Sequence, residues 1–467
     1  MLPVMDSYDV LVIGAGPGGY PAAIRAAQLG KRVALVEQEA VGGTCRICGC
    51  IPTKTLIASA ELFHRARHGA AMGVRADGVA CDYGRMLARK TEIVARLKQG
   101  VHALLQANGV TLVAGSARFE SARRVSVHAE GQPAVRLSAD QIIVATGSVS
   151  AMPGFLPRHP RVVESRGFLD RTELPASLIV LGGGVVGCEF ACMTAQLGVR
   201  VTVVEVLEDI LAVLDRDVRR VLRRRMETLG IAVLVGAPLT DVAADDRQVT
   251  GRFQEQTVSA DLLLASVGRQ ANTAGLELER AGVTADSRGR IPVDAFGRTQ
   301  VPTIFAIGDV VAGSPQLAHA ATSQGLAAAE NAAGGRTRFE TVVPACIFTS
   351  PEIGAVGLTE AAAKQANRAV KTGIFPFAAL GKALAAGAPE GFVKWIADAT
   401  TDQLLGAQAV GAHATELIAE ATLAVRSELT AAELGRTIHC HPTFGEAWME
   451  AAHAVHGACL HLPPKRR

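Results

Sequence analysis

Three cysteines crowd one short stretch of the chain. Residues 42–54 read GGTCRICGCIPTK, which places Cys45, Cys48 and Cys50 close together, with Lys54 just beyond. Pro52 and an apolar-periodic run follow and predict a helix from about Thr53. Proline suits a first helical position, where its missing N–H has no partner to lose. Cys50 then lies at a helix N-terminus, where the positive dipole end and Lys54 favour thiolate over thiol. Two close thiols, one of them activated, can cycle between dithiol and disulfide. Two other readings stay open. Cys-x2-Cys-x-Cys could belong to a metal site, although no obvious fourth ligand completes a zinc tetrahedron. Plain core cysteines are the other, although they need neither flanking glycines nor a helix start. Cys188 and Cys192, four apart on a predicted helix, read as core packing.

A second candidate group lies near the C-terminus, where residues 439–446 read HCHPTFGE. The proline after His441 biases it to extended backbone, and Glu446 is near enough in sequence to orient the ring and stabilise its cation. His439 offers a competing reading, as a metal-binding partner of His441 without a further ligand set. A single histidine is more often structural, so this segment alone is suggestive only.

Something must position these groups, and an internal repeat supplies it. Residues 9–37 (DVLVIGAGPGGYPAAIRAAQLGKRVALVE) recur at 177–205 (SLIVLGGGVVGCEFACMTAQLGVRVTVVE) with a constant offset of 168. Gly14, Gly16 and Gly19 map onto Gly182, Gly184 and Gly187, and Glu37 maps onto Glu205. Each copy runs from an apolar strand through a Gly-rich turn and an alanine-rich helix to a strand ending in glutamate. A lone GxGxxG is weak, but here strand, helix and acidic residue all accompany it, twice. The first Gly makes the tight turn, the second admits a pyrophosphate to the backbone, and the third lets helix pack on strand. The phosphate then meets the helix N-terminus. Residues 141–147, 261–269 and 303–309 read as further strand-to-loop edges, while 244–260 and 277–290 read as connecting hairpins. From about Val343 the pattern shifts to a third unit without such a fingerprint.

The chain has 467 residues, enough for roughly three domains at about 150 each, and its 47 basic and 44 acidic side chains leave a net charge of +3. That balance excludes an electrostatic nucleic-acid binder. With 49% hydrophobic and 19% charged residues it reads as an ordinary globular chain. No apolar run reaches the length of a membrane span, and Met1 to Tyr8 carries no basic leader, so no membrane partner and a cytoplasmic location are expected. Nine cysteines, an odd number, argue against a secreted disulfide framework. The basic tail Lys465 to Arg467 reads as a solvated end.

Together these motifs resemble the flavin-dependent pyridine nucleotide–disulfide oxidoreductases, and among them the branch that acts on dihydrolipoyl groups. The similarity covers essentially the whole chain. It includes ATG at 145–147, VGR at 267–269, AIGD at 306–309, LAH at 317–319, TSPEIGAVGLTE at 349–360 and HCHPTFGE. The resemblance implies an α/β fold: two Rossmann-like dinucleotide-binding domains, for FAD and NAD, plus a C-terminal α+β dimerisation domain. The implied divisions are 1–149 (FAD, with the redox disulfide), 150–272 (NAD), 273–343 (return to the FAD domain) and 344–467 (dimerisation). It also implies that Gly14, Gly16, Gly19, Glu37, Lys54, Gly115, Thr146, Gly147, Asp309 and Ala318 hold FAD. Gly182, Gly184, Gly187, Glu205 and Gly268 would hold NAD.

By the same match, Cys45 and Cys50 form the redox disulfide, His441 held by Glu446 is the base, and Lys54 pairs with Glu189 near the flavin. The implied reaction oxidises dihydrolipoyl to lipoyl and reduces NAD, within a 2-oxo acid dehydrogenase or glycine cleavage system. The implied partners are a dihydrolipoyl group on a carrier or acyltransferase protein and a second copy of the chain, a homodimer. Arg46, Ile47 and Cys48 stand where the family usually carries Leu-Asn-Val or similar. Glutathione reductase is the rival within the class, but it would need a positive pocket for a 2′-phosphate, and Glu205 followed by Val206, Leu207, Glu208 and Asp209 offers the reverse. A non-catalytic flavoprotein scaffold is the rival from another class.

Overall fold

The computed structural model describes residues 6–463, which fall into two units. The expectations for Met1–Met5 and for the basic tail lie outside the described residues. The first unit comprises residues up to Leu56, Gly84–Ala151 and Gly268–Thr341. The second comprises Ile57–Tyr83, Met152–Val267 and the chain from Val342 onward.

In the first unit the strands Thr111–Ala114, Val33–Glu37, Asp6–Ile13, Val135–Val144, Arg124–His128 and Ser116–Ser121 lie side by side, and Ile304–Ala306 also pairs with Val135–Val144. Asp6–Ile13 runs parallel to both neighbours, with Val12 opposite Leu35 and Ile143. Its apolar run is continuous because both faces are covered. Val10 and Val12 pack with Ala22, Ala23 and Ala26 of the helix Gly19–Gln28. Leu11 and Ile13 face Phe119, Val125 and Ile304 instead. Small residues let the helix Ala318–Ala332 close on the Gly-rich turn: a Cβ on Gly325 would lie 2.3 Å from the Gly18 carbonyl.

The second unit contains a parallel sheet in the order Ala232–Val235, Arg200–Glu205, Ser177–Leu181, Leu262–Ala265, Val162–Val163. Ile179, Leu181, Val204 and Leu263 pack on the antiparallel strands Leu239–Ala244, Val249–Phe253 and Gln256–Ala260. On the helix Val185–Gln196, Cys188 and Cys192 are both buried, as core packing requires. The remainder is α+β. An antiparallel sheet ordered Ala345–Ile347, Ile353–Gly357, Leu404–Gly411, Gly391–Asp398, Val370–Pro376 packs under the helices Ala414–Arg426 and Glu446–Val455. Trp395 and Trp448 are fully buried there, and Trp395 Nε1 donates to the Trp448 carbonyl at 3.0 Å. Two Rossmann-like sheets and an α+β part are the expected fold class.

Strand Gly391–Asp398 also carries a charge into the core. Lys394 is fully buried, and its Nζ lies 3.0 Å from Asp215 Oδ2 and 3.0 Å from Asp217 Oδ2, with Glu360 a third partner. Burial alone would push the Lys394 amine down, but the hydrogen bonds it donates to Glu360 and Asp215 raise it. Among the described residues no helix is long and apolar enough to cross a membrane.

Two local expectations need correction. Residues 277–290 form no hairpin. They contain a short 3-10 turn, Leu278–Ala281, because Leu278 and Ala281 turn together into the core while Glu277 and Gly282 adopt left-handed backbone. The helix expected from about Thr53 begins at Cys50 and runs to Arg67. Pro52 is tolerated as the third residue, within the first turn, because none of the first four N–H groups of a helix has an intrahelical partner.

Candidate active site

The cysteine segment folds as two helices with a break between them. The helix Gly43–Ile47 carries Cys45; Cys48 ends it, and Cys50 opens the helix Cys50–Arg67. Gly42 and Gly43 have φ of 108° and 57°, a left-handed pair that turns the segment back on itself. A Cβ on Gly43 would sit 2.6 Å from Gly16 Cα, so the segment lies directly on the first Gly-rich turn. The Gly42 N–H donates to the Ala15 carbonyl at 2.8 Å. Thr53 fastens the second helix by donating its hydroxyl to the Gly49 carbonyl at 2.7 Å. The Cys45 and Cys50 thiols are hydrogen-bonded to each other. That bond, then burial, then the charge on Cys50 push the Cys45 thiol up, against Arg46 and Lys54. Arg46 is itself held, donating to the Tyr20 hydroxyl at 2.8 Å. Among the described residues no three metal-ligating side chains gather as a site.

The two Gly-rich turns share one architecture, each within its own unit. Gly14 has φ of 100°, and a Cβ there would meet the Ala145 carbonyl at 2.4 Å. Gly182 has φ of 109°, with the Ser266 carbonyl at 2.5 Å from such a Cβ. A Cβ on Gly19 or Gly187 would fall 1.8 or 1.9 Å from the carbonyl oxygen of Gly14 or Gly182. The middle glycines are open: Gly184 has nothing within 4 Å, and Gly16 only Gly43 Cα at 4.0 Å. Each turn is therefore a bare backbone cradle on a helix start, and it fits a dinucleotide pyrophosphate.

Both glutamates brace these turns. Glu37 accepts from Ala15 N at 2.7 Å through Oε2 and from Glu39 N at 2.8 Å through Oε1. Glu205 repeats the pattern with Gly183 N at 2.6 Å and Leu207 N at 2.8 Å.

The other residues implied for FAD gather at the edge of the first unit's sheet. Gly115 has φ of 140°, and its N–H donates to the Glu37 carbonyl at 2.9 Å. Gly147 has φ of 70°, and the Thr146 hydroxyl beside it is buried with no partner among the described residues, as a group awaiting a ligand would be. Asp309 Oδ2 accepts from the Ser148 hydroxyl at 2.5 Å, and Arg269 Nε donates to the same hydroxyl at 2.6 Å. Ala318 opens the helix Ala318–Ala332. Gly268, implied for NAD, belongs to this unit, where its carbonyl accepts from Ala151 N at 3.0 Å. Ser148, and its link to Arg269 of the VGR motif, escaped the sequence reading because the partners lie more than a hundred residues apart.

In the second unit, His441 Nδ1 lies 2.8 Å from Glu446 Oε1, and the Thr443 N–H donates to Glu446 Oε2 at 2.8 Å. Burial raises the Glu446 carboxyl, but the Thr443 amide and His441 outweigh it and hold it below the ordinary range. His441 is 78% exposed at its side chain, so its other ring nitrogen faces outward. Thr443 was missed, although Thr-x-x-Glu ahead of a helix is a capping spacing visible in the sequence. Glu189 is buried on the helix Val185–Gln196 of the second unit, accepting from Phe348 N at 2.9 Å, while Lys54 belongs to the first unit, near the start of the helix Cys50–Arg67.

A scan of family models matches residues 8–325 to the pyridine nucleotide-disulphide oxidoreductases and residues 343–452 to the dimerisation domain of that family. The chain is 42% identical over 462 residues to a dihydrolipoyl dehydrogenase of Chlamydia pneumoniae, covering 98% of this chain and 99% of the relative. Among solved structures it is similar to LpdA from Mycobacterium tuberculosis, with TM-score 0.89, 30% identity, and 95% and 99% of the two chains covered. It is also similar to the Cu(II) complex of the HOCl-induced flavoprotein disulfide reductase RclA from Escherichia coli, with TM-score 0.87, 29% identity, and 96% and 99% covered.

Proposed function

The chain belongs to the pyridine nucleotide-disulphide oxidoreductase family, and on that premise we propose that it oxidises dihydrolipoyl groups to lipoyl through a Cys45–Cys50 disulfide and passes the electrons to NAD. The observation that carries this reading is the hydrogen-bonded pair of thiols on two closely spaced successive helices, the first of which starts against the Gly16 backbone. Such a pair can exchange with a dithiol substrate while lying beside whatever the turn holds.

In this reading Gly14, Gly16, Gly19, Glu37, Lys54, Gly115, Thr146, Gly147, Asp309 and Ala318 hold FAD. Gly182, Gly184, Gly187, Glu205 and Gly268 hold NAD. The flavin, when bound, supplies the two-electron relay between sulfur and nicotinamide.

The proton and sulfur steps belong to the protein. With Nδ1–H directed at Glu446, His441 presents Nε2 as a base to a substrate thiol. The resulting thiolate attacks Cys45 Sγ. A mixed disulfide forms, the Cys45–Cys50 bond breaks, and Cys50 leaves as a thiolate at a helix N-terminus. The second substrate thiol, releasing its proton to solvent, attacks the substrate sulfur of that mixed disulfide, closing the lipoyl ring and releasing Cys45 as a thiolate. Cys45 then recovers the proton from His441, in keeping with a thiol that burial and its neighbour push up. Two electrons enter the cysteine pair in each cycle. In this reading Lys54 and Glu189 would supply the charges that set the electrostatics of the flavin.

The dihydrolipoyl group arrives on a carrier or acyltransferase protein, and the working unit is a homodimer built on the C-terminal sheet. The odd cysteine count suits a reducing compartment, and the cytoplasm is the proposed location.

The test is a steady-state assay with dihydrolipoamide against glutathione, each with NAD and NADP. Turnover is expected with dihydrolipoamide and NAD. Cys45→Ser and Cys50→Ser should each abolish it while leaving FAD bound and NADH oxidation by an artificial acceptor intact. Cys48→Ser should be nearly silent. A protein that reduces oxidised glutathione faster than it handles lipoyl substrates would overturn the assignment.

A further inference from the structure

His439 stands two residues before the proposed base, on a side chain only 8% exposed. Both of its ring nitrogens are engaged. Nε2 lies 2.7 Å from Glu420 Oε1, and Nδ1 lies 2.9 Å from the Thr437 carbonyl oxygen. A carbonyl and a carboxylate only accept hydrogen bonds, so each ring nitrogen must donate. A neutral imidazole has one N–H; only the imidazolium has two. With Glu420 ionised, the geometry therefore requires a cation.

That cation borders the reactive pair. A Cβ built on Gly445, the residue before Glu446, would lie 3.7 Å from His439 Cδ2 and 3.9 Å from Glu420 Oε2. The charged groups facing the ring are Glu420, from the helix Ala414–Arg426, and Glu446, from the helix Glu446–Val455. Cys440 and His441 lie on its own segment. Glu420, ahead of burial, and then the Thr437 carbonyl and Glu446 hold the His439 ring above the ordinary histidine value. In return His439 helps hold Glu446 as an anion.

We propose that His439 is a positioning residue of the reaction: fixed as an imidazolium between Glu420 and Thr437, it keeps Glu446 ionised and keeps His441 a free base. The inference rests on His441 being the base of the reading above. Without the neighbouring cation, Glu446 would draw a proton onto His441 at a higher pH and remove the lone pair that substrate needs. The cation offsets part of that pull while Glu446 still aligns the His441 ring.

The experiment follows the histidines by nitrogen NMR in the 15N-histidine holoenzyme, with kcat/KM against pH measured in parallel. Both His439 nitrogens should carry protons at pH 7, above the ordinary histidine value. In His439→Gln the His441 midpoint should rise by about 0.5–1 pH unit, and the acidic limb of kcat/KM should move with it. His439→Lys should restore the midpoint by returning the charge. Glu420→Gln, a milder change that leaves the ring in place, should release the His439 proton and move the midpoint the same way by less. A neutral His439 ring at pH 7 would overturn the proposal. So would an unmoved His441 midpoint in a variant that merely melts earlier, which is the mark of a structural role. A holoenzyme with no dihydrolipoyl activity would sink the functional reading instead, and the NMR midpoints would still decide the role of His439.

Discussion

The brace under the second Gly-rich turn permits a quantitative test. Glu205 is 9% exposed and gives one oxygen to the buried Gly183 N–H and the other to the Leu207 N–H. The side chain shapes the turn, and in the proposed reading it would also repel a 2′-phosphate, so the two roles are separable. Glu205→Gln removes the charge but keeps one acceptor, which will settle on Gly183. The exposed Leu207 amide can turn to water, so the loss is one charge-assisted hydrogen bond partly replaced, about 1–1.5 kcal/mol. Glu205→Leu removes both acceptors and strands the Gly183 N–H. A buried unmet donor adds about 1–3 kcal/mol, equivalent to about 5–150-fold in an affinity. Calorimetric binding of NAD, with melting temperatures alongside, should rank the wild type tightest, then Gln, then Leu. The ratio of NADP to NAD affinity should rise equally in both variants, because both lose the charge. Equal NAD affinities and melting temperatures for Gln and Leu would refute the brace. Unchanged cofactor preference in both would refute the charge argument.

Lys394→Met should destabilise the second unit by about 3–5 kcal/mol, seen as a lower urea midpoint, because it leaves Asp215, Asp217 and Glu360 without their buried cation; an unshifted midpoint would deny the network any role. His64 is held down to about 4 by burial first and then by His68, Arg225 and Arg67. A depressed folded-state value means that protonation favours the unfolded chain, so stability should fall as pH drops from about 6.5 toward 4. His64→Gln should flatten that part of a melting-temperature profile, and parallel curves would contradict the assignment. For the proposed homodimer, Cys50→Ser and His441→Ala chains refolded together should recover about a quarter of wild-type turnover if each site draws its histidine from the partner. Confirmed dimers without rescue would place both groups in one chain.

How far the sequence revealed this molecule depended on the range over which each feature is encoded. The paired Gly-rich turns were legible because a turn, a helix and a terminal glutamate recur within thirty residues, each answering a local steric demand. The brace was not legible: Glu37 and Glu205 reach back 22 residues to backbone N–H groups, which carry no side-chain signature. The cysteine segment was legible in composition and misplaced in register. Proline at Pro52 restricts the helix start only to within its first turn, and the chain used the earlier position. Residues 277–290 were misread because their polar content masks Leu278 and Ala281, spaced three apart as a helical turn requires and not two apart as a strand would need.

The same rule separates the two histidines. His441 and Glu446 are five residues apart, so one short segment displays both the ring and its partner. His439 reaches Glu420, 19 residues earlier on another helix, and nothing local distinguishes it from a surface histidine. Ser148 with Asp309, and Lys394 with Asp215, are more distant still. A chemical group encoded in one loop can thus be read directly, whereas the fixed charge that tunes it becomes visible only when folding brings a second element alongside.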